Sequence, residues 1–235
     1  MSNNVINNSE AKAQMKLRAA EHVIELVESG MTVGLGSGST AAMWVHLLGE
    51  RVRDKGLRIK AVASSVASER IGQSYGIPFI ELRKCDQIDL TIDGANEIAP
   101  GLALIKGGGG ELLREKIVAS ASKRYVVVAD SFKVVPKLGA FPLPVEVFPM
   151  AASIVSCALK ELGFIPELRL NADGSTYVTI HANYLFDCRG LTIEDPYQMK
   201  AELDSIVGLV EHGIFLDMVN YAVIGGETGA IERRV

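Results

Sequence analysis

Three short stretches carry residue types able to move protons and hold anions. In Gly36-Ser37-Gly38-Ser39-Thr40, hydroxyls and glycine backbone suit a phosphate if the loop opens a helix, where unpaired N–H groups and the helix dipole favour an anion. No lysine follows its last glycine and the full Gly-x-Gly-x-x-Gly pattern is missing, which disfavours nucleotide binding. A tight turn closed by a Ser/Thr N-cap fits the same spacing. In Asp93-Gly94-Ala95-Asn96-Glu97, the Asp93 carboxylate can exchange a proton with a sugar hydroxyl or orient it, although Asp-Gly is also a common turn. In the third stretch Lys106 precedes four glycines, Gly107 to Gly110. Four glycines cost backbone entropy that a simple turn does not need, so close approach to that backbone is expected. The ammonium group can neutralise an enediolate oxygen or a phosphate, and a flexible hinge with a solvated lysine is the plainer alternative.

Glu111 and Glu115 follow at i, i+4. In a helix expected near Gly110 to Ser122 they share one face, with Leu113, Ile117 and Ala121 on the opposite, buried side. Either glutamate can face the glycine run, and both can equally be solvated and partnered, Glu111 with Arg114 or Lys116 for instance. Spacing does not choose between them. Lys133 lies just past the apolar run Tyr125 to Ala129, where it can hold a phosphate or a sugar oxygen or simply be an exposed loop lysine. His22, His46, His181 and His212 show no metal-ligand spacing, and no serine nucleophile elbow occurs. No metal is expected, and neither metal hydrolysis nor acyl transfer is supported.

Positioning these groups falls to an alternation of strands and helices. Ala20, Val23, Ile24 and Val27 recur at helical spacing between Ala11 and Glu28, and Gly30 marks a stop. A strand at Met31 to Leu35 then leads through the first glycine loop into a helix from about Thr40 to Arg53. Further strands are expected at Ile59 to Ser64, Ile77 to Leu82, Ile88 to Ile92 and Tyr125 to Ala129, with helices at Val66 to Tyr75 and Gly110 to Ser122. Unbroken apolar strands alternating with helices imply a doubly wound, mostly parallel α/β sheet covered on both faces. Asp93 then lies at a strand's carboxyl end, where such sheets bind ligands.

Phe141-Pro142-Leu143-Pro144 marks a crossing, since proline removes a donor and disfavours helix before it. Beyond it the expected order is a strand at Val145 to Phe148, a helix at Ala151 to Leu162, strands near Phe164 to Leu170 and Thr176 to His181, a helix at Pro196 to Ile206 and a strand near Val210 to Leu216. This βαββαβ order suggests a small ferredoxin-like α+β domain. Tyr221 to Ile224 can return to the first sheet, so the expected domains are 1–138 plus 218–235, with 139–217 inserted.

The 235 residues, 48% hydrophobic and 22% charged, are ordinary for a globular protein, and a net charge of −4 gives no general attraction for nucleic acid or anionic lipid. Cys85, Cys157 and Cys188 form no paired spacing, which fits a reducing compartment. Met1 to Ala13 is polar and no run is long enough to span a membrane, so a cytoplasmic location is expected.

Taken together, Gly-x-Gly-Ser-Thr, Asp-Gly-Ala-x-Glu, Leu104-Ile105-Lys106-Gly-Gly-Gly, Arg114-Glu115-Lys116-Ile117 and Phe141-Pro142-Leu143-Pro144-Val145-Glu146-Val147 closely resemble the ribose-5-phosphate isomerase A family in content and order, from about Lys16 to Ile224. The resemblance implies a Rossmann-like catalytic domain with an inserted ferredoxin-like domain, a homodimer or homotetramer, and interconversion of D-ribose 5-phosphate and D-ribulose 5-phosphate without metal or organic cofactor. The family's substrate loop falls on Ser37, Gly38, Ser39 and Thr40, its aspartate motif on Asp93, Gly94, Ala95 and Asn96, and its lysine-glycine motif on Lys106, Gly107, Gly108 and Gly109. Its catalytic glutamate falls on Glu115, not Glu111, with Asp93 and Lys106 expected to serve the oxygen protons. Lys133 and Lys16 match lysines that contact the substrate. Many members have a second aspartate where this chain has Asn96; an amide cannot shuttle a proton, so Asn96 is expected only to position a hydroxyl.

Two other readings differ in what they require. An amino-sugar phosphate deaminase or CoA transferase could share the fold, the transferase needing a nucleophilic glutamate. A non-catalytic sugar-phosphate sensor would normally bring a basic helix-turn-helix segment, which is not apparent.

Overall fold

The computed structural model describes residues 2–226, 228–229 and 231–234; positions 1, 227, 230 and 235, which the sequence reading assigns to the first domain, lie outside them. In chain order the elements begin with α1 (Ser2–Ile24), β1 (Thr32–Leu35), α2 (Gly38–Lys55), β2 (Lys60–Ala63), α3 (Val66–Ser74), β3 (Leu90–Asp93), β4 (Glu97–Ile98) and β5 (Leu104–Ile105). There follow α4 (Leu112–Ser120), β6 (Tyr125–Asp130), β7 (Leu143–Val147), α5 (Ala152–Glu161), β8 (Ile165–Leu168) and β9 (Tyr184–Arg189). The last are α6 (Pro196–Asp204), β10 (Leu209–His212), β11 (Ile214–Phe215), β12 (Tyr221–Gly225) and β13 (Ile231–Arg234).

Contacts divide the chain into two compact units. The first runs to Ala95 and adds Ile117–Val134 and the chain from Met218 onward; the second comprises Asn96–Lys116 and Val135–Asp217. The expected boundaries stood at 138/139 and 217/218. The contact division sets the first at 134/135 and groups Asn96–Lys116 with the second unit, because β4 and β5 form a small antiparallel sheet with β11.

The first unit is built on a six-stranded sheet of order β13-β12-β6-β3-β1-β2, parallel except for the antiparallel edge strand β13. All six residues of β6 are buried, as the continuous apolar run requires of a strand covered on both faces. Val33, Leu35, Ile92, Val126 and Val128 pack with Ala20, Val23, Trp44, Val45 and Leu48 from the covering helices. The expected strand at Ile77 to Leu82 is reduced to one bridge between Ala61 and Phe79; Pro78 in that run has no N–H to extend a ladder.

The second unit contains an antiparallel sheet of order β10-β7-β9-β8, joined in the sequence β7-α5-β8-β9-α6-β10. This is the ferredoxin-like arrangement, and the fold class is α/β with that insertion. Its core gathers Leu143, Val145, Val147, Val155, Leu159, Phe186 and Leu203. One strand lies elsewhere than expected: Thr176 to His181 makes only isolated bridges, and β9 is Tyr184–Arg189. Leu185, Phe186 and Cys188 are buried in β9, whereas Val178 and Ile180 are about half exposed, so alternation in the earlier run had no facing core to satisfy.

Candidate active site

In the first unit the chain leaves β1 for β2 on one side, while β3 lies on the other. Their carboxyl ends therefore form a topological switch point, the usual ligand crevice of an open α/β sheet. The sequence there is Gly36-Ser37, and α2 begins at Gly38. Asp93 ends β3, fully buried, and its Oδ1 accepts the N–H groups of Ser37 at 2.8 Å and Gly94 at 2.7 Å. Such close packing requires glycine at 36, where a Cβ would lie 2.3 Å from Asp93 Oδ1 and 2.4 Å from its Cα. Ser37 occupies the α2 N-cap position without a side-chain capping bond. Gly38 and Ser39 are exposed and Thr40 is buried. Lys16, on α1, places Nζ 3.0 Å from Ser39 Oγ. Lys133 closes the short turn Ser131–Lys133 directly after β6, half-buried at the same edge of the sheet.

In the second unit β5 delivers Lys106, whose N–H donates to the Gly213 carbonyl at 2.9 Å. The side chain is 2% exposed, with Nζ 3.5 Å from Glu115 Oε2 and 5.6 Å from the centre of the Phe215 ring. Glu115 is 4% exposed and lies in the first turn of α4, where the helix dipole favours a carboxylate. Gly107, at φ +94°, and Gly110, at φ +88°, need backbone that L side chains rarely adopt, and the Gly110 N–H closes the turn onto the Gly107 carbonyl at 2.9 Å. Gly108 donates its N–H to Asn96 Oδ1 at 2.9 Å. Gly109 is exposed, and a Cβ there would meet nothing within 4 Å.

The helix after the glycines departs from expectation in two respects. Its buried residues are Leu112, Glu115, Val118 and Ala119, while Leu113 is half-buried and Ile117 is 42% exposed. Apolar spacing placed Leu113, Ile117 and Ala121 inside and left each glutamate to face the glycine run or solvent, but a charge with a buried partner can occupy the inner face. Glu111 precedes α4, and its carbonyl accepts the Glu115 N–H at 2.9 Å. The two glutamates thus differ in role: Glu115 is inside the helix and paired with Lys106, and Glu111 is half-buried at its start. Burial, reinforced by the negative charges of Glu115 and Glu146 and opposed by Arg114, raises the Glu111 carboxyl above its ordinary range.

Asn96 is placed by its own N–H bond to the Ile105 carbonyl at 2.8 Å, and its Oδ1 serves the glycine loop. Among the described residues no group of three or more His, Cys, Asp or Glu side chains is arranged to hold a metal ion, and no helix is long and apolar enough to cross a membrane. Arg169, which bonds the Gly108 carbonyl, and Tyr177, which packs on Gly110, were missed, as was Asp187, which pairs with Arg169. The contacts of Arg169 and Tyr177 with the loop bridge more than sixty residues of sequence, and no local spacing signals them.

The chain matches the family model for ribose 5-phosphate isomerase A (phosphoriboisomerase A) over residues 60–229. It is 45% identical over 228 residues to ribose-5-phosphate isomerase A of Nitrobacter hamburgensis, a match spanning 94% of this chain and 98% of the relative. The chain belongs to the ribose 5-phosphate isomerase A family. Among solved members of that family, the Methanocaldococcus jannaschii enzyme superposes with a TM-score of 0.90 at 36% identity, covering 95% of this chain and 99% of that one. A D-ribose-5-phosphate isomerase solved in complex with phospho-erythronic acid gives 0.91 at 33% identity, covering 94% and 98%. The family model's matched range includes Asp93, Asn96, Lys106, Glu115 and Lys133, and the Nitrobacter relative extends the likeness across the Ser37–Thr40 loop.

Proposed function

We propose that this chain interconverts D-ribose 5-phosphate and D-ribulose 5-phosphate through an enediol, in the non-oxidative branch of the pentose phosphate pathway. The observation that carries the reading is Glu115 buried in the first turn of α4, 3.5 Å from the equally buried Lys106. Aldose–ketose isomerisation needs one group to remove the weakly acidic C2 proton of the open-chain aldose and return it at C1 while charge on oxygen is stabilised. A carboxylate can carry that proton both ways, and an adjacent ammonium can stabilise the oxyanion.

In the proposed sequence Glu115 takes the C2 proton, the electron pair of that bond forms the C1–C2 double bond, and O1 gains a proton. O2 then loses its proton as the C2 carbonyl forms, and Glu115 returns its proton to C1. Lys106 and Asp93 serve O1 and O2. Ser37 to Thr40, with Lys16 and Lys133, bind the phosphate and sugar oxygens; Gly94, Ala95 and Gly107 to Gly109 supply backbone close to the substrate. Asn96, whose Oδ1 accepts the Gly108 N–H, positions a sugar hydroxyl. The relative solved with phospho-erythronic acid supports an acyclic, phosphorylated sugar skeleton as the ligand class.

The chain is assigned to the cytoplasm, as a homodimer or homotetramer with no nucleic-acid or membrane partner and no cofactor. The test is to treat the protein with a chelator, add ribose 5-phosphate and follow ribulose 5-phosphate. Undiminished turnover supports reaction, substrate and cofactor independence together. Saturable binding without turnover would replace the proposal with the sensor reading, and activity dependent on CoA would replace it with the transferase reading.

A further inference from the structure

The glycine loop is held from the ferredoxin-like sheet by a built contact. Arg169 lies just beyond β8 and extends Nη1 to the Gly108 carbonyl at 3.2 Å. Its guanidinium is oriented by a two-point pair with Asp187 on β9, Nε to Oδ2 at 2.9 Å and Nη2 to Oδ1 at 2.5 Å. The same guanidinium lies over the Tyr177 ring, 5.8 Å from its centre. The Tyr177 hydroxyl in turn packs against Gly110, where a Cβ would sit only 2.3 Å from it. With the N–H of Gly108 taken by Asn96, both polar groups of that residue are engaged.

We propose that Arg169 is a positioning residue for the isomerisation: it fixes the Gly107–Gly109 backbone in the conformation that receives substrate, with Asp187 and Tyr177 fixing Arg169. The inference rests on the reading of those glycines as substrate-binding. Glycine loses more conformational freedom on ordering than any other residue, so a loop of four glycines gains most from an anchor placed outside it. Planar, two-point geometry is what arginine supplies and lysine does not. Lys106 is held separately, by its backbone bond to Gly213 and its pair with Glu115. Loss of Arg169 therefore loosens the binding backbone more than the proton-moving pair.

The competing explanation is an ordinary cross-strand pair, Arg169 with Asp187, that stabilises the sheet alone. Arg169→Ala and Arg169→Lys separate the two. Preorganisation acts mainly on binding, so Arg169→Ala should raise KM for ribose 5-phosphate about tenfold with kcat changed less than about threefold, and Arg169→Lys should fall between that variant and the parent. Millimolar ethylguanidinium should lower the raised KM of Arg169→Ala and leave the parent unaffected. Amide hydrogen exchange supplies a readout independent of activity: residues 107–110 should exchange about tenfold faster in both variants, while Lys106 and β9 stay protected. Unchanged loop exchange and unchanged KM in either folded variant would overturn the proposal, whatever its melting temperature. If the parent protein fails to turn over ribose 5-phosphate, the functional reading fails and the exchange result still decides the anchor.

Discussion

Removing one half of the Lys106–Glu115 pair should destabilise the protein far more than removing both. The two side chains are 2% and 5% exposed, so neither charge has bulk water to fall back on. Breaking a buried pair by deleting one partner costs about 3–5 kcal/mol, because the other charge stays behind, whereas apolar replacement of both is often close to neutral. Lys106→Met and Glu115→Met should each lose about 3 kcal/mol, and the double variant less than about 2 kcal/mol. The coupling energy is then at least about 4 kcal/mol, beyond the 0.5–3 kcal/mol usual for interacting neighbours. For a chain of this length that separates the single variants from the double by roughly 2–12 °C in Tm. Urea unfolding followed by far-UV circular dichroism at pH 7 measures it, since the backbone signal reports both units. If the single losses simply add in the double variant, the two groups do not depend on one another and the reading of a buried ion pair is refuted.

Two glycines of the candidate site should differ in their effect on stability. Gly36→Ala drives a Cβ to within 2.4 Å of the Asp93 backbone, and overpacking of this kind costs about 1–3 kcal/mol; a lowered Tm and at least a tenfold fall in kcat/KM are expected. Gly109→Ala meets no atom within 4 Å, so Tm should hold while KM rises. His212 gives a pH effect on stability: burial first, then the nearby Lys116, lowers its imidazole from 6.5 to about 4, against the opposing influence of Glu211 and Asp204. Because the folded pKa lies below the unfolded one, the stability this neutral imidazole contributes is present above pH 6.5 and is lost as pH falls towards 4, at most about 3 kcal/mol. His212→Gln, which can still bond Asp204 and the Ile214 N–H, should flatten Tm across that window; an unchanged slope would assign the effect to other groups.

Much of the fold was legible because its signals are local. The α2 start after Gly36-Ser37, the valine run of β6 and the return of Tyr221–Gly225 to the parallel sheet all follow from apolar periodicity and glycine punctuation. What was not legible depends on distant partners. Thr176 to His181 alternates like a strand but finds no ladder, while Tyr184–Arg189 gains one by pairing with β7 over five positions. The inner face of α4 is not the expected Leu113, Ile117 and Ala121, because apolar spacing alone does not count a glutamate paired with a buried lysine as an inward residue. Motif order separated Glu115 from Glu111 where spacing could not, and the structure supplies a physical difference between them: one is enclosed beside Lys106, the other half-buried before the helix. No pattern near Arg169 predicts its contact with Gly108, sixty-one residues away in sequence.

The central claim is that Glu115 carries the proton between C2 and C1. Steady-state turnover of ribose 5-phosphate by Glu115→Gln, with Glu111→Gln alongside it, tests this most directly. General-base catalysis contributes about 10²–10⁴-fold, so kcat of Glu115→Gln should fall at least a hundredfold while KM stays within about threefold, and Glu111→Gln should lose little. Near-parental turnover by Glu115→Gln would contradict the account.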